Sequence, residues 1–68
     1  MSDSIELIAD ATFGLQVRLG DYVEQNQQLG TKSDCPDPLH SPVSGTVQEI
    51  TFNPDVHCFI ITIAVMPY

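Results

Sequence analysis

The sequence predicts a small all-β protein in which two strand-rich halves pack on each other as a flattened barrel or sandwich. Three observations support this prediction. Apolar and polar residues alternate with the two-residue period of strands. Glycine and proline turn signals interrupt that alternation at short intervals, and no segment is both long and periodic enough to predict a helix. Each half is too small to bury its own apolar face, so the two halves must share one interior.

The first half is expected to contain four short strands, at residues 5–8, 13–18, 22–23 and 28–32. The second of these is predicted because Phe13, Leu15 and Val17 alternate with small or polar residues, which is the period of a half-buried strand. A tight turn is expected at Leu19-Gly20-Asp21. There Gly20 would supply a backbone conformation that is unfavourable for other residues.

A proline-rich connector and a glycine corner are expected to join the two halves. Pro36 and Pro38 oppose both a helix and a sheet ladder, so residues 33–39 are predicted to be an exposed connector. Pro42 then favours extended geometry at the residue before it. Gly45 is expected to turn the chain with a positive φ.

The second half is expected to contain two strands, residues 46–52 and 58–65, joined by the turn Asn53-Pro54-Asp55. The last strand carries apolar residues on both faces, which is typical of a central or sandwiched strand. Residues 14–23 and 45–56 both run from glycine through a strand to aspartate and valine. This echo predicts that the two halves have related structures.

Length and charge exclude several classes of protein. The 68 residues are expected to form one domain, with frayed ends at residues 1–4 and 66–68. Nine acidic residues against two basic ones give a net charge of −7, which opposes binding to nucleic acids and anionic membranes. No apolar run is long enough to insert into a bilayer, and no secretion signal is recognisable. A cytoplasmic location is therefore expected.

The residues with metal-binding or nucleophilic side chains do not form a recognisable site. Cys35 and Cys58 are expected to be free thiols, because two cysteines without a secretion signal indicate a reducing compartment. A zinc site would combine them with His40 and His57, but the spacing does not match that of paired zinc ligands. Cys–His catalysis would need an oxyanion donor and an orienting third group, which the sequence does not supply. The sequence therefore predicts no catalytic residue and no metal ligand.

Two motifs of the chain resemble those of biotinyl/lipoyl-like domains. They are Leu19-Gly20-Asp21-Tyr22-Val23-Glu24-Gln25-Asn26-Gln27-Gln28-Leu29 and Ser41-Pro42-Val43-Ser44-Gly45-Thr46-Val47, and the resemblance covers residues 5–65. It implies a flattened barrel-sandwich hybrid of two small, quasi-symmetric antiparallel sheets. The structural turns would be formed by Gly20, Asp21, Pro42 and Gly45. Asn26 stands where these domains have a glycine, and asparagine also accepts left-handed geometry.

Within that superfamily, residues 38–47 are most similar to the N-terminal domain of the C subunit of Rnf-type ferredoxin:NAD oxidoreductases. The parts of that subunit that bind flavin, nucleotide and iron–sulfur clusters lie outside this domain. The present chain has no glycine-rich phosphate loop and no CxxC cluster. The resemblance therefore implies a non-enzymatic docking or scaffold module, held by a protein partner in a larger redox or acyl-transfer complex. Because exposed sheet edges can pair between copies, the oligomeric state stays open.

Lys32 decides between this hypothesis and its main alternative. Lipoyl and biotinyl carriers attach their cofactor to a lysine at the tip of a hairpin, and counting back from Gly45 to that position reaches Asp34. Lys32 lies close by but lacks the flanking residues of a carrier lysine. The nearby carboxylates of Asp34 and Asp37 are expected to be solvated and not catalytic. We therefore expect no cofactor. The alternatives are a swinging-arm carrier with lipoyl or biotin on Lys32, and an accessory protein that binds a metal or a small ligand.

Overall fold

A computed structural model of the chain describes residues 3–35 and 37–65, which form an all-β fold of six strands. The strands are β1 (Ser4–Asp10), β2 (Tyr22–Val23), β3 (Gln28–Thr31), β4 (Pro38–His40), β5 (Gly45–Asn53) and β6 (Cys58–Val65). They make two antiparallel sheets, one of four strands in the order β1-β6-β5-β2 and one formed by β3 and β4. The predicted fold class is confirmed.

β6 is a central strand, as its apolar residues on both faces predicted. It pairs with β1 along one edge and with β5 along the other. Ile63, for example, lies between Ile5 of β1 and Val47 of β5. Ile61 and Ile63 are completely buried. A strand with neighbours on both edges and a second sheet over one face has little use for charged side chains, and β6 has none.

The interior is shared by both halves of the chain. Its fully enclosed members come from β1, β2, β3, β5, β6 and the segment before β2, and they are Ala9, Val17, Val23, Leu29, Val47, Ile61 and Ile63. Leu29 belongs to the two-stranded sheet and the others surround it from the larger sheet and its connections. Neither half has enough of these residues to form a core alone, so the two sheets stabilise each other.

The predicted strand at residues 13–18 is wrong. One turn of 3-10 helix covers Ala11–Phe13, and residues 14–18 continue without regular structure. The Asp10 carboxylate accepts a hydrogen bond from the Thr12 N–H at 2.9 Å, and Gly14 follows with φ +71°. These two features turn the chain away from a ladder. The alternation of apolar and polar residues in this segment does not indicate a strand. Val17 is buried because the chain crosses the core here without regular structure.

The predicted connector at residues 33–39 is also partly wrong, because β4 already begins at Pro38. Proline is tolerated as the first residue of a strand, where its missing N–H leaves no ladder position empty. Ser33, Asp34 and Asp37 are exposed, as predicted. Ser4, predicted to be frayed, is the first residue of β1. Asp3, also predicted to be frayed, accepts a hydrogen bond from Val65 N–H with its carbonyl. The predictions of frayed ends at residues 1–2 and 66–68 lie outside the described residues.

The two motif glycines serve different purposes. Gly20 has φ +92°, as the predicted turn requires. Gly45 does not have the positive φ that was predicted for it; it is the buried first residue of β5. A Cβ on Gly45 would overlap the carbonyl oxygen of Ala64 and lie 2.9 Å from Cγ2 of Ile63. Its glycine is therefore required by the close approach of β6. Asn26 has φ +73°, in agreement with its predicted left-handed geometry.

Candidate functional site

The hairpin of β3 and β4 contains Asp34, the position that the resemblance assigns to a carrier lysine, and it places Lys32 at the base of its loop. Lys32 directly follows β3, and its N–H donates to the carbonyl of Asp37 at 2.9 Å. On the opposite side Lys32 forms an isolated antiparallel bridge with Ala9 of β1. Its side chain is exposed. The main chain of Lys32 is thus tied to both sheets, and the loop beyond it includes residues 33–35 and 37.

The loop carries a thiol that is kept protonated. The Cys35 Sγ donates to Oδ2 of Asp37 at 3.4 Å. This hydrogen bond raises the pKa of the Cys35 thiol above its ordinary value, and the negative charges of Asp34 and Asp37 act in the same direction. A thiolate next to two carboxylates would be repelled by them. Cys35 is therefore arranged as a weak nucleophile.

The four cysteines and histidines considered as zinc ligands are distributed over separate elements. Cys35 lies in the β3–β4 loop and His40 ends β4, whereas His57 and Cys58 lie at the β5–β6 turn and the start of β6. Among residues 3–35 and 37–65 no three His, Cys, Asp or Glu side chains are close enough to hold a metal ion. The Cys58 thiol is buried and donates to the carbonyl of Val56 at 3.1 Å.

His57 has a structural role in the turn between β5 and β6. Its φ is +53°, which is uncommon for a residue other than glycine, and its carbonyl accepts the N–H of Ala11 at 3.0 Å. Its ring meets that of Phe52 edge to face, with 5.8 Å between the centroids. His57 therefore joins the β5–β6 turn to the 3-10 turn after β1. The signal was hidden because a positive φ at histidine has no sequence motif.

The two motifs behind the resemblance lie against each other in two places. At the first, Gly20 N–H donates to the carbonyl of Val47 at 2.9 Å and Val47 N–H donates to that of Asp21 at 2.8 Å. The Asp21 carboxylate also accepts the N–H of Arg18 at 2.9 Å and so closes the turn. Gly20 and Asp21 thus fix the start of β5. This explains why a Gly-Asp turn accompanies a corner that lies far away in sequence.

At the second place, the turn around Asn26 holds the corner before Pro42. Asn26 N–H donates to the carbonyl of Ser41 at 2.6 Å, and Ser41 N–H donates to that of Gln27 at 2.9 Å. Ser41 is completely buried and its hydroxyl donates to the carbonyl of Val43. The Ser44 hydroxyl accepts the N–H of Gln25 at 3.0 Å. The buried Ser41 therefore has partners for its N–H, its carbonyl and its hydroxyl, and these bonds connect the corner to the turn around Asn26.

The comparison with known families agrees with this arrangement. The family model described as the RnfC barrel sandwich hybrid domain matches residues 9–65, a range that includes both motifs and the hairpin. The chain belongs to this family. No curated protein matches the sequence. The resemblance inferred from the two motifs is thereby confirmed. In this RnfC-type domain Gly20, Asp21, Pro42 and Gly45 lie at the turns and at the start of β5, and Lys32 lies at the base of the hairpin loop.

The surface of the RnfC-type domain has exposed apolar side chains that sequence reasoning did not single out. The large ones are Ile8, Phe13, Leu19, Tyr22, Phe52 and Val56. The Phe52 ring contacts two aromatic neighbours, His57 and Phe59, the latter at a centroid distance of 5.5 Å. Within the described residues there is no helix that is long and apolar enough to cross a membrane.

Proposed function

We propose that this chain is an unmodified, non-enzymatic docking module of a larger redox enzyme complex. One observation carries the proposal: in a domain of the RnfC barrel sandwich hybrid family, the lysine nearest to the carrier position lies at the base of its loop, where its main chain pairs on both sides. The domain has the family's scaffold, but its exposed lysine side chain starts from the base of the loop and not from the tip.

The placement of Lys32 argues against a swinging arm for a physical reason. An arm reaches distant active sites only when its anchor projects from the tip of a hairpin. The N–H of Lys32 is hydrogen-bonded to Asp37, and the bridge to Ala9 holds the residue next to β1. A group on Lys32 would start from the side of the barrel, close to the loop carboxylates.

The thiols and the acidic surface also support a module without catalytic chemistry. Cys35 is held protonated by Asp37, and Cys58 is buried with its Sγ bonded to a carbonyl. Both thiols donate their hydrogen bonds to oxygen atoms, Oδ2 of Asp37 and the carbonyl of Val56, and not to the imidazole that activates a Cys–His nucleophile. Membership of the RnfC barrel sandwich hybrid family and the resemblance of residues 38–47 to a subunit of a redox complex favour a redox-enzyme subunit as the partner. The net charge of −7 suits a partner with a basic surface.

Intact-mass analysis of the protein purified from its native cells tests the unmodified state. We expect a mass that carries no lipoyl or biotinyl increment. A lipoyl or biotinyl increment that disappears in a Lys32→Arg variant would replace this proposal with the carrier hypothesis. Lys32→Arg keeps the positive charge, so any loss of the increment reports the attachment point alone.

Cross-linking in the same cells tests the docking role. We expect carboxylate-reactive cross-linkers to join the acidic surface to lysines of a redox-enzyme subunit, reproducibly and at fixed positions. Cross-links that scatter over abundant unrelated proteins would contradict a docking module. A purified protein that turns over a substrate alone would contradict the non-enzymatic assignment.

A further inference from the structure

The outer edge of β5 is open along more than half of its length. β5 covers Gly45–Asn53, but β2 pairs only with Gly45 and Thr46. Val47 is the last residue with a partner on that side, through its hydrogen bonds to the turn before β2. From Glu49 onward no strand of the described residues lies along this edge. A bulge between Val47 and Glu49 separates the covered part from the open part.

The hydrogen-bond alternation of the sheet shows which groups face this edge. Val65 N–H donates to the carbonyl of Asp3 at 2.9 Å, and antiparallel residues alternate between bonded and non-bonded pairs. Asp3 and Val65 therefore form a bonded pair, and every second pair along β1 and β6 is bonded as well. Leu7 and Ile61, four residues further along each strand, form one of these bonded pairs. Ile61 therefore directs its main-chain groups to β1. The residues on either side of Ile61 direct theirs to β5.

The partners of those two flanking residues in β5 are Glu49 and Thr51, which therefore direct their main-chain groups to β6. Ile50 and Phe52 must direct theirs to the open edge. Val47 provides an independent check, because the same alternation predicts that it faces outward. Its N–H and carbonyl are indeed bonded to the turn before β2, at 2.8 and 2.9 Å. The open edge thus presents the N–H groups and carbonyls of Ile50 and Phe52, and no strand among residues 3–35 and 37–65 lies beside them.

The side chains along this edge separate into an apolar and a polar row. Ile50 is half-buried and Phe52 is 46% exposed, and both lie on the face that carries the core. Glu49 and Thr51 are exposed on the opposite face. Because His57 and Phe59 hold the Phe52 ring, the apolar row is already ordered before any partner binds.

We propose that the edge of β5 from Glu49 to Asn53 binds an extended segment of a partner protein, in which apolar residues alternate with lysine or arginine. This inference rests on the proposed docking function and names the surface that performs it. The added strand would bond to the main chain of Ile50 and Phe52. Its apolar side chains would lie beside these two residues, and its basic side chains would lie beside Glu49.

Charge selects a basic partner over a second copy of this chain. Each copy carries −7, so edge-to-edge pairing would bring two acidic surfaces together. Across β6 from Glu49 lies Glu6, since both pair with Thr62. The two cations are in other elements, Lys32 after β3 and Arg18 in the turn before β2. The polar row next to this edge is therefore negative and matches a lysine or arginine of the added strand.

Amide hydrogen exchange of the full chain, followed by NMR, tests the proposal with an eight-residue peptide of alternating lysine and valine. Without peptide, the Ile50 and Phe52 N–H groups should exchange much faster than that of Thr51, which donates to β6. Saturating peptide should slow the exchange of Ile50 and Phe52 by at least about tenfold. A peptide with the same composition in two blocks, four lysines then four valines, should not protect them. Binding without this protection would overturn the proposal.

Substitutions separate the main-chain, apolar and charge contributions. Glu49→Lys should weaken binding of the lysine–valine peptide by about tenfold or more and allow a glutamate–valine peptide to bind instead. Phe52→Ala should also weaken binding, whereas Phe13→Ala, which removes another exposed phenylalanine, should leave it unchanged. If Phe13→Ala and Phe52→Ala weaken binding equally, the peptide binds elsewhere and the assignment to β5 fails.

Two further results distinguish this inference from the proposed function. Slow exchange of Ile50 and Phe52 that depends on protein concentration would show a second copy on this edge and would overturn the partner assignment. Cross-links from an unmodified protein to a redox subunit that spare β5 would contradict the inference but leave the docking function standing. A cofactor on Lys32 would remove the docking function without changing the peptide result.

Discussion

At the scale of single residues, the two motif glycines are required for different reasons, and substitution can separate them. Gly20 needs its backbone conformation, with φ +92°, and has open space where a Cβ would be. Gly45 has an ordinary backbone but no space, since Ala64 and Ile63 of β6 lie against its Cα. One substitution therefore tests strain and the other tests packing.

Gly45→Ala should destabilise the protein by about 2–3 kcal/mol, because the methyl group would force β5 away from the carbonyl of Ala64. Gly20→Ala should cost about 1 kcal/mol, which is the price of placing a side chain in a left-handed conformation. Urea unfolding followed by circular dichroism measures both. Equal losses, or a larger loss for Gly20→Ala, would contradict the packing explanation of Gly45.

The stability of the 3-10 turn after β1 depends on pH through Asp10. Its carboxylate accepts the Thr12 N–H, and this hydrogen bond, together with one from the Thr12 side chain and the nearby His57, holds the pKa of Asp10 below its ordinary value of 3.8. A carboxyl whose pKa is lower in the folded state contributes stability above its unfolded pKa and loses it as the pH falls through the folded one. The stability that Asp10 provides should therefore be complete at neutral pH and fade below about pH 4.

Asp10→Asn should be less stable than the parent protein at pH 7, and the difference should shrink toward pH 2. Unfolding free energies measured across that range test this prediction. Glu6→Gln is the control, since it removes a charge from β1 without removing a side-chain hydrogen bond that caps a turn. A difference for Asp10→Asn that is independent of pH would show that the capping bond does not depend on ionisation.

At the scale of elements, the β3–β4 hairpin combines a fixed base with a loop of acidic residues. The hydrogen bond between Lys32 N–H and the Asp37 carbonyl closes the loop, and the Asp37 carboxylate binds the Cys35 thiol from within it. One residue therefore uses its main chain to shape the loop and its side chain to control the thiol. These two roles can be tested apart, since a side-chain substitution leaves the carbonyl in place.

Cys35 should react slowly with iodoacetamide at pH 8, because its raised pKa lowers the thiolate fraction. Asp37→Asn should accelerate the reaction at least about twofold, because the carboxylate that accepts the S–H proton is removed. A Cys58→Ala background restricts the measurement to one thiol. Asp34→Asn is the matched control and should have a smaller effect, since Asp34 acts only through its charge. Equal acceleration by the two substitutions would contradict the hydrogen bond.

The sequence predicted the elements whose apolar pattern alone determines their structure and missed those that depend on a capping hydrogen bond or on a strand partner. β6 was predicted correctly because it has apolar residues on both faces, which is typical of a central strand. The strand at residues 13–18 was wrong because the capping bond of Asp10 and the positive φ of Gly14 turn the chain first. β4 was missed because prolines dominated the prediction.

The candidate site was only partly predictable for the same reason. The resemblance directed attention to Lys32, but its place at the base of the loop depends on a bridge to Ala9, which lies far away in sequence. The open edge of β5 depends on where β2 ends, and β2 has only two residues. No periodicity within residues 45–53 reports whether a neighbouring strand continues beside them.

At the scale of the whole molecule, unbalanced charge is the main electrostatic feature. Nine acidic residues oppose two basic ones on a chain of 68 residues. The radius of gyration of the Cα atoms is 11.3 Å, so at an ionic strength of about 10 mM, where the Debye length is about 30 Å, the acidic groups repel one another across the molecule. Their mutual repulsion acts against the compact state. The same repulsion opposes self-association and leaves the surface free for a basic partner.

Sodium chloride should therefore raise the midpoint of thermal unfolding, by several degrees between about 20 and 500 mM, because the Debye length falls well below the distances between the carboxylates. Glu6 and Glu49 make the sharpest local test. Both pair with Thr62, so they flank one residue of β6 at a spacing of about 10 Å, twice the distance between neighbouring strands. The double variant Glu6→Gln/Glu49→Gln should be more stable at low salt and show a smaller salt response.

The control for this prediction is Glu24→Gln/Asp55→Asn, which removes the same charge from two turns on different parts of the chain. Since both double variants change the net charge from −7 to −5, general repulsion predicts equal stabilisation, and local repulsion across β6 predicts more for the Glu6/Glu49 pair. We expect the larger effect for that pair, because two like charges on one face of a sheet interact more strongly than two distant ones. A midpoint that falls with salt would instead show that attractive ion pairs dominate the fold.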